Sequence, residues 1–417
     1  MTSVDHIESL ARFVQASPTS YHAADEVART LRSSGFEQLD ERATWTPGEA
    51  QFVVRGGAVV AWRTPARVDR ATGVRIVGAH TDSPAFKCKP VPAFRSVGWQ
   101  QIAVEVYGGP LWNSWLDRDL GIAGRIALAD GTISLVRTGA VARIPQLAIH
   151  LDRTQNEGLK LDPQAHLQPV VGVRPDDILD HLAAQVGADA SQITGHDLYT
   201  YPTEPPAVIG LSGELFASSR LDNLSSTHAG LTALLRVQSD DDILVFVAFD
   251  HEEVGSATTT GAAGPLLEDV LIRIAATHGI EGAGFAELLT RTTCVSADAA
   301  NLVHPNYAGR HDPTHQAVPN GGPLLKVSAQ QRYASDAMTA AMWRRACDEA
   351  GVPSQVFVAN NAVPPGSTIG PITATRLGIA TVDVGIGLLS MHSARELCGV
   401  DDPAYLTRAL TAYWAGA

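Results

Sequence analysis

The spacing of apolar residues predicts the first elements of the chain. Four of them follow the i, i+3, i+4, i+7 pattern of one helix face: Ile7, Leu10, Ala11 and Val14. A second helix is predicted over about 21–31, and Thr19 or Ser20 can serve as its N-cap. Runs rich in Val and Ala then predict strands within 51–63 and 73–80.

From about residue 87 to residue 206, strand patterns dominate. Asp130-Gly131 stands between two apolar runs, which is a strong signal for a β-hairpin turn. The proline-rich segment 201–206 is typical of a linker. After it, helical patterns and short apolar strands alternate again to the C-terminus.

This alternation predicts an α/β domain whose sequence is interrupted by a β-rich insertion. The α/β domain comprises 1–87 and 207–417, and the insertion comprises 88–206. At 417 residues, the chain is long enough for two domains.

Composition narrows the function classes. The formal net charge of −13 argues against nucleic acid as a partner, because phosphate backbones are bound by basic residues. No apolar run approaches the length of a membrane span, and no signal peptide is evident at the N-terminus. The four cysteines show no CxxC pairing, so we expect a reducing, cytoplasmic setting.

Several predicted strands of the α/β part are followed by side chains that bind metals. Because ligand sites of open α/β sheets lie at the carboxyl ends of the strands, these groups can converge from distant positions. Asp222 precedes a helical stretch and is a further candidate. The strand-end candidates are His80 and Asp82, the run Asp250 to Glu253, Asp298, and His392.

Each candidate also has a structural alternative. His80 or His392, taken alone, is more often a hydrogen-bonded structural histidine. Asp222 and Asp298 could instead cap the helical patterns that follow them. Glu252-Glu253 could form a solvated turn, although the apolar run before it disfavours this interpretation.

Together, two imidazoles and several carboxylates suit a pair of Zn²⁺ ions, or Co²⁺ or Mn²⁺, with one carboxylate bridging. If the backbone is extended at Glu252 and Glu253, the two side chains point in different directions. One glutamate can then bind metal, while the other acts as the general base towards a water whose pKa the metals lower. This chemistry predicts amide hydrolysis.

An ordered set of motifs runs from "SPTSYHA" near residue 17 to the C-terminal quarter of the chain. It includes HTDSP, NSWLDRDL, RLDNL, DHEEVGS, HPNY, NGGPLLK, QRYAS, GSTIGP and MHSARE. This set resembles the M18 metallopeptidases, the aspartyl aminopeptidases. The resemblance implies a zinc-aminopeptidase-type α/β/α sandwich, interrupted by a dimerisation domain and assembled into a homo-oligomeric tetrahedral dodecamer. It also implies that the substrates are peptides with an N-terminal Asp or Glu.

The resemblance also implies the role of each site residue. His80 and Asp298 would bind one metal, Glu253 and His392 the other, and Asp222 would bridge the two. Glu252 would be the general base, and Asp82 would orient His80 through its second ring nitrogen. By this resemblance each chain would hold two zinc ions.

Three further residues belong to the substrate side of the resemblance. His150 matches a histidine that reaches a neighbouring subunit's active site; its alternative is a hydrogen-bonded histidine beside a strand. Lys326 would pair with the acidic side chain of the substrate, and Tyr333 lies in a segment of the same pocket. The alternative for Lys326 is an ordinary surface lysine.

The chain departs from the family pattern in two segments. The sequence NNAVPPGS, with Asn360, Ala362 and Pro365, replaces the family's RNDxPCGS, and Asn301 replaces a histidine. These changes leave the predicted metal ligands in place. They motivate an alternative, an aminopeptidase of the same fold with a broader or neutral preference.

Two other function classes are less well supported. A catalytically silent scaffold would lack a ligand or the base, and all six candidates are present. A serine hydrolase would need a GxSxG elbow, and the sequence has none.

Overall fold

The computed structural model describes residues 3–238 and 241–417. Within them, the chain divides into two compact units. Of the described residues, the first comprises 3–82, 206–238, 241–391 and 396–417, and the second comprises Ser83–Pro205 and His392–Arg395. The roles of the units as catalytic and dimerisation domains stay predictions.

The α-helices are numbered here in chain order. They are α1 Ser3–Ala16, α2 Ser20–Ser33, α3 Trp112–Trp115, α4 Ile178–Gln185, α5 Leu221–Leu234, α6 Leu266–Thr277, α7 Ala283–Thr290, α8 Ala337–Ala350, α9 Ile369–Leu377 and α10 Asp402–Trp414. Short 3₁₀ helices are formed by Ala190–Gln192, Glu252–Val254 and Pro305–Arg310.

The strands are numbered in the same way. They are β1 Glu37–Gln38, β2 Ala50–Arg55, β3 Ala58–Arg63, β4 Val74–His80, β5 Ala85–Ser96, β6 Trp99–Tyr107, β7 Leu120–Leu128, β8 Ile133–Arg137, β9 Val170–Gly172, β10 Ile193–Pro202, β11 Ala207–Ile209, β12 Leu215–Ser218, β13 Ile243–Phe249, β14 Thr293–Ala297, β15 Ala300–Asn301, β16 Leu324–Val327, β17 Gln355–Val358, β18 Ala380–Gly385, β19 Gly387–Leu388 and β20 Glu396–Gly399.

The first unit is built on a nine-stranded sheet in the order β1-β2-β3-β13-β4-β14-β18-β16-β17. Its four central strands, β13, β4, β14 and β18, are parallel, and the strands outside them pair with mixed directions. Two small sheets, β11-β12-β20 and β15-β19, complete the unit.

Alternating residues of the central strands enter two separate cores, because successive side chains of a strand point to opposite faces. Phe246 and Val77 pack with α1, α2, α5, α8 and α10 on one face, whereas Val245 and Ile76 pack with α6, α7 and α9 on the other. The central strands are therefore buried on both sides, which explains their nearly continuous apolar sequence. The first unit is an α/β/α sandwich, and the predicted mixed α/β fold class is confirmed.

The second unit contains a six-stranded antiparallel sheet in the order β8-β7-β10-β5-β6-β9. The predicted hairpin is confirmed, because β7 and β8 pair around Asp130-Gly131. Gly131 has a φ of 88°, a conformation that glycine adopts without strain. Within the described residues, no helix is both long and apolar enough to cross a membrane.

Two local predictions need correction. Thr19 is the N-cap residue of α2, but its side chain does not cap the helix and its hydroxyl lies 2.9 Å from His22 Nδ1 instead. The predicted linker is wrong in its first part, because Tyr201 and Pro202 end strand β10. Cross-strand pairing with β7 extends the strand through Pro202, an effect that local composition does not reveal.

Candidate functional site

Parallel strands bring three of the predicted acidic and histidine segments to one edge of the nine-stranded sheet. His80 is the last residue of β4, Asp250 follows β13, and Asp298 follows β14. The register places Phe249 opposite His80, so the two strands end at the same level. The sheet topology therefore explains why these groups lie close together despite their separation in sequence.

His80, Asp222 and Asp298 form the centre of this cluster. The Nε2 atom of His80 lies 3.4 Å from Asp222 Oδ1 and 3.4 Å from Asp298 Oδ1, and all three residues are buried. One donor atom from each lies within 4.8 Å of the others, which is a spacing suited to a shared cation. One imidazole and two carboxylates are donors that zinc accepts.

Asp82 connects this cluster to the two glutamates. Its carboxylate lies 3.3 Å from His80 Nδ1 and accepts hydrogen bonds from the backbone N–H groups of Glu252 and Glu253 at 3.0 and 3.1 Å. The backbone oxygen of Asp82 is also 3.1 Å from His80 Nδ1. Asp82 therefore fixes the glutamate turn relative to the imidazole; the predicted orienting role of Asp82 itself stays a prediction.

The backbone of the glutamate pair is not extended. Residues Glu252–Val254 form a 3₁₀ helix, which follows His251 in the left-handed conformation. One oxygen from each glutamate and one nitrogen of His80 lie within 4.8 Å of one another. The reasoning that the two side chains diverge depended on an extended backbone and does not apply here, because residues of a 3₁₀ turn are not related by the twofold alternation of a strand. The separate roles of the two glutamates stay predictions.

Glu252 and His80 have strongly perturbed acid–base properties. Burial raises the pKa of Glu252 to about 8; the nearby His80 opposes this rise, whereas Asp298 and Asp222 increase it. Burial alone would lower the pKa of His80, but its interactions with Asp222, Asp298 and Asp82 outweigh it and raise that pKa well above the usual value. A cluster of this kind favours bound cations or protons.

The structural alternatives for two aspartates do not match the structure. The N-cap residue of α5 is Arg220, while Asp222 has non-helical dihedral angles inside the first turn and donates its N–H to Glu396 at 3.0 Å. Asp298 precedes the short strand β15, so no helix follows for it to cap. Glu252-Glu253 is not a solvated turn either, because only 16% of the Glu252 side chain is exposed.

Lys326 is not a surface lysine. It lies in β16 with 1% of its surface exposed, its Nζ 3.6 Å from Asp298 Oδ2 and 5.4 Å from the centre of the Tyr333 ring. Burial opposes the positive charge, but Asp298 and other acidic groups outweigh it and raise the pKa of Lys326. Lys326 and Tyr333 are therefore adjacent buried groups beside the cluster.

The two remaining predicted histidines belong to the second unit. His392 has a positive φ of 65° and its Nδ1 lies 3.0 Å from the carbonyl oxygen of Gly109. His150 lies exposed in a turn rather than beside a strand, so that part of its structural alternative is wrong. The roles of both histidines stay predictions.

The departures from the family pattern lie mainly in loops. Asn360 donates hydrogen bonds to the carbonyl oxygens of Gly309 and His311, and Ala362 is exposed. Asn360 therefore joins two loop segments. Pro365 lies in the same irregular segment, and Asn301 ends strand β15.

Asp250 and His251, which the sequence left without a role, support the turn before the glutamates. Asp250 is buried, and its carboxylate accepts the N–H of His251 at 2.9 Å. The Nδ1 atom of His251 lies 3.1 and 3.2 Å from the hydroxyl oxygens of Thr258 and Thr260. These contacts hold the backbone in the conformation from which the 3₁₀ turn begins.

Sequence reasoning did not single out Asp383. This residue is fully buried in β18, directly opposite Ser296 of β14. The available signal was one charged residue inside the apolar run IATVDVGIG. Buried carboxylates are rare unless they are paired, so such a residue indicates a network.

The chain is similar to known proteins over nearly its full length. The family model "Aminopeptidase I zinc metalloprotease (M18)" matches residues 13–414. A probable M18 family aminopeptidase 2 of Streptomyces coelicolor is 51% identical over 420 residues, covering 98% of this chain and 97% of the relative.

Solved structures are similar over nearly the full length. The M18 family aminopeptidase of Thermotoga maritima superposes with a TM-score of 0.88 at 26% identity, covering 98% of this chain and 96% of that one. The mApe1 dodecamer of Saccharomyces cerevisiae gives a TM-score of 0.87 at 27% identity, covering 99% of this chain and 97% of that one.

Proposed function

The chain belongs to the M18 family of zinc metalloproteases, and on this premise we propose that it is a two-metal aminopeptidase that removes N-terminal Asp or Glu from peptides. The observation that carries the proposal is the buried cluster of His80, Asp222 and Asp298, which lies next to the glutamate turn. Several carboxylates converge there, and divalent cations would balance their charge.

The donor set supports a specific distribution of two metals. His80 and Asp298 would hold the first ion, Glu253 and His392 the second, and Asp222 would bridge them. Zinc fits this mixture of imidazole and carboxylate donors, and Co²⁺ or Mn²⁺ fits it also. When bound, the ions would supply a Lewis acid for the scissile carbonyl and an acidified water.

Glu252 is the proposed general base. Its Oε2 lies 3.9 Å from His80 Nε2, close to the cluster, while its backbone is held by Asp82. Burial raises the pKa of Glu252 and so favours its protonated form. Bound cations would make its carboxylate anionic, and this carboxylate would then readily accept a proton from water. The same carboxyl group can then pass that proton to the leaving amine.

The acidic preference rests on Lys326 and Tyr333. The lysine is the buried cation beside the cluster, and a substrate carboxylate would be attracted to it. Lys326 already faces Asp298, so its charge is shared rather than wholly directed at substrate. This sharing, together with the altered segment around Asn360, Ala362 and Pro365, motivates the second candidate, a broader or neutral preference.

A homo-oligomer is part of the proposal, because the S. cerevisiae relative is a dodecamer. Exposed His150 would then be available to a neighbouring subunit, as the family resemblance implies. The four cysteines are buried and form no disulfide, which supports a reducing compartment such as the cytoplasm.

The decisive experiment measures kcat/KM with aminoacyl chromogenic substrates after loading the protein with zinc, cobalt or manganese. Faster turnover of Asp and Glu than of Leu and Ala supports the proposed specificity, and the reverse order supports the neutral alternative. Elemental analysis should find about two divalent ions per chain. A fully loaded protein inactive on every substrate would favour the silent scaffold.

A further inference from the structure

Asp383 accepts hydrogen bonds from three segments that are far apart in sequence. Its Oδ1 accepts from the hydroxyls of Ser296 and Thr368 at 2.6 and 2.5 Å, and its Oδ2 accepts the N–H of Ala334 at 2.6 Å. The N–H of Asp383 itself donates to the hydroxyl of Ser335 at 2.9 Å. A single buried side chain thus joins β14, the start of α9 and the loop before α8.

The loop held by Asp383 carries Tyr333. Ala334 and Ser335 follow this tyrosine directly; the carboxylate accepts the backbone N–H of Ala334, and the backbone N–H of Asp383 donates to the Ser335 side chain. Tyr333 in turn packs its ring edge-on against Phe357, with the centroids 6.1 Å apart, and lies beside Lys326. The position of the tyrosine therefore depends on the anchored loop.

The start of α9 packs closely against the carboxylate of Asp383. A methyl group placed on Gly370 would lie 2.3 and 2.4 Å from the two carboxylate oxygens, which is closer than real contacts allow. Thr368 accepts the N–H of Gly370 while donating to Asp383, so the cap and the carboxylate form one chain of hydrogen bonds. A negative charge at a helix N-terminus is also favourable.

We infer that Asp383 is a positioning residue that fixes the substrate-side wall formed by Tyr333 and Lys326. The inference rests on the proposed function, since it assigns these two residues to the substrate pocket. Asp383 contacts neither a predicted metal ligand nor the proposed base, so its loss should loosen the pocket wall and leave the metals in place. Asparagine at this position removes the negative charge, and its nitrogen faces either the N–H of Ala334, which cannot accept, or the two hydroxyls, which must rotate to accept.

The test compares Asp383→Asn with wild-type enzyme, using whichever N-terminal residue the wild type cleaves best. We expect KM to rise about tenfold while kcat stays within about threefold and the metal content is unchanged. This choice of substrate separates the acidic specificity from the positioning role of Asp383. If the wild type prefers a neutral residue, the acidic specificity is refuted, but the KM of the variant still measures whether Asp383 positions the pocket wall.

Asp242→Asn is the matched control. Asp242 also accepts a backbone N–H, from Gly73 at 2.7 Å, and pairs with Arg75, but it lies just before β13, at the opposite end of the strands. We expect its KM and kcat to stay within about twofold of wild type, even if its melting temperature falls. A KM rise in both variants would mean that the loss of any hydrogen-bonded carboxylate has this effect, and would overturn the inference.

Thr368→Val provides a milder variant should Asp383→Asn fail to fold. It removes one hydroxyl donor to Asp383, and we expect KM to rise about threefold with kcat preserved. Two outcomes overturn the inference: unchanged kinetic constants in a folded variant, or a parallel loss of kcat and bound metal. The second outcome would mean that the network acts through Ser296 and β14 on the metal ligands.

Discussion

Replacing Lys326 with methionine tests whether its buried charge serves both the acidic cluster and the substrate. Methionine keeps most of the length and volume of the side chain but removes the ammonium group. That group lies 3.6 Å from Asp298 Oδ2 and is almost completely buried. The substitution therefore leaves Asp298 with one buried cationic neighbour fewer.

The size of the effect follows from the separation and the burial. At 3.6 Å, two unit charges attract by about 5 kcal/mol at an effective dielectric constant of about 20. Desolvation of the ammonium offsets part of this attraction, and loss of one partner of a buried pair costs about 3–5 kcal/mol in free energy of unfolding. Because His80 also faces Asp298 at 3.4 Å, we expect a loss of about 3 kcal/mol, near the lower end of that range.

Urea denaturation of metal-free protein measures this loss, and repetition with zinc should give a smaller one because a bound cation compensates Asp298. In kinetic assays of Lys326→Met, kcat/KM for N-terminal Asp should fall about 100-fold, and kcat/KM for Ala should change less than about fivefold. Lys87→Met is the matched control, since Lys87 pairs with Asp197 at 2.8 Å in the second unit and is half-buried. This control should cost less than about 1 kcal/mol and leave both rates unchanged.

Equal losses for Asp and Ala substrates would refute the assignment of Lys326 to the substrate carboxylate. Undiminished stability of the metal-free variant would refute the charge coupling to Asp298. The two results are independent, so the experiment separates a specificity role from a supporting role.

Three further predictions concern the base, the metal site and the N-terminal helix. Glu252→Gln should retain its metal, and its kcat should fall by a factor of about 10²–10⁴. The control variant Glu268→Gln, at a partly exposed glutamate, should stay active. Normal turnover by Glu252→Gln would refute the base assignment. The pKa of His80 is raised in the metal-free protein, and a ligand imidazole must be neutral, so zinc binding should release a proton. The affinity for zinc should therefore increase about tenfold for each unit by which the pH rises. Calorimetry that finds a pH-independent affinity would contradict this. Burial lowers the pKa of His6 from 6.5 to about 4, so between these pH values the unfolded chain binds more protons than the folded one. The free energy of unfolding should therefore fall by roughly 3 kcal/mol as the pH drops from 6.5 to 4. His6→Gln should flatten this dependence in urea denaturation curves, and an equal slope in both proteins would count against it.

The order of helices and strands was largely readable from the sequence, because apolar periodicity and turn chemistry act over a few residues. The burial of Ile7, Leu10 and Val14 on α1 and the Asp130-Gly131 hairpin are confirmed examples. The expectation that strand ends deliver metal-type side chains to one place needs only the rule for parallel sheets. His80 and Asp298 are brought together at the strand ends, and Asp222 joins them from the start of α5.

Other properties of the site were decided by the tertiary structure. The 3₁₀ conformation at Glu252 and Glu253 depends on Asp82, which is about 170 positions earlier in the chain and accepts both backbone N–H groups. The burial of Lys326 depends on the packing around β16 rather than on its neighbours in sequence. Local pattern specified which chemical groups reach the sheet edge, whereas long-range hydrogen bonds and burial fixed their conformation, their charge and the role available to Asp383.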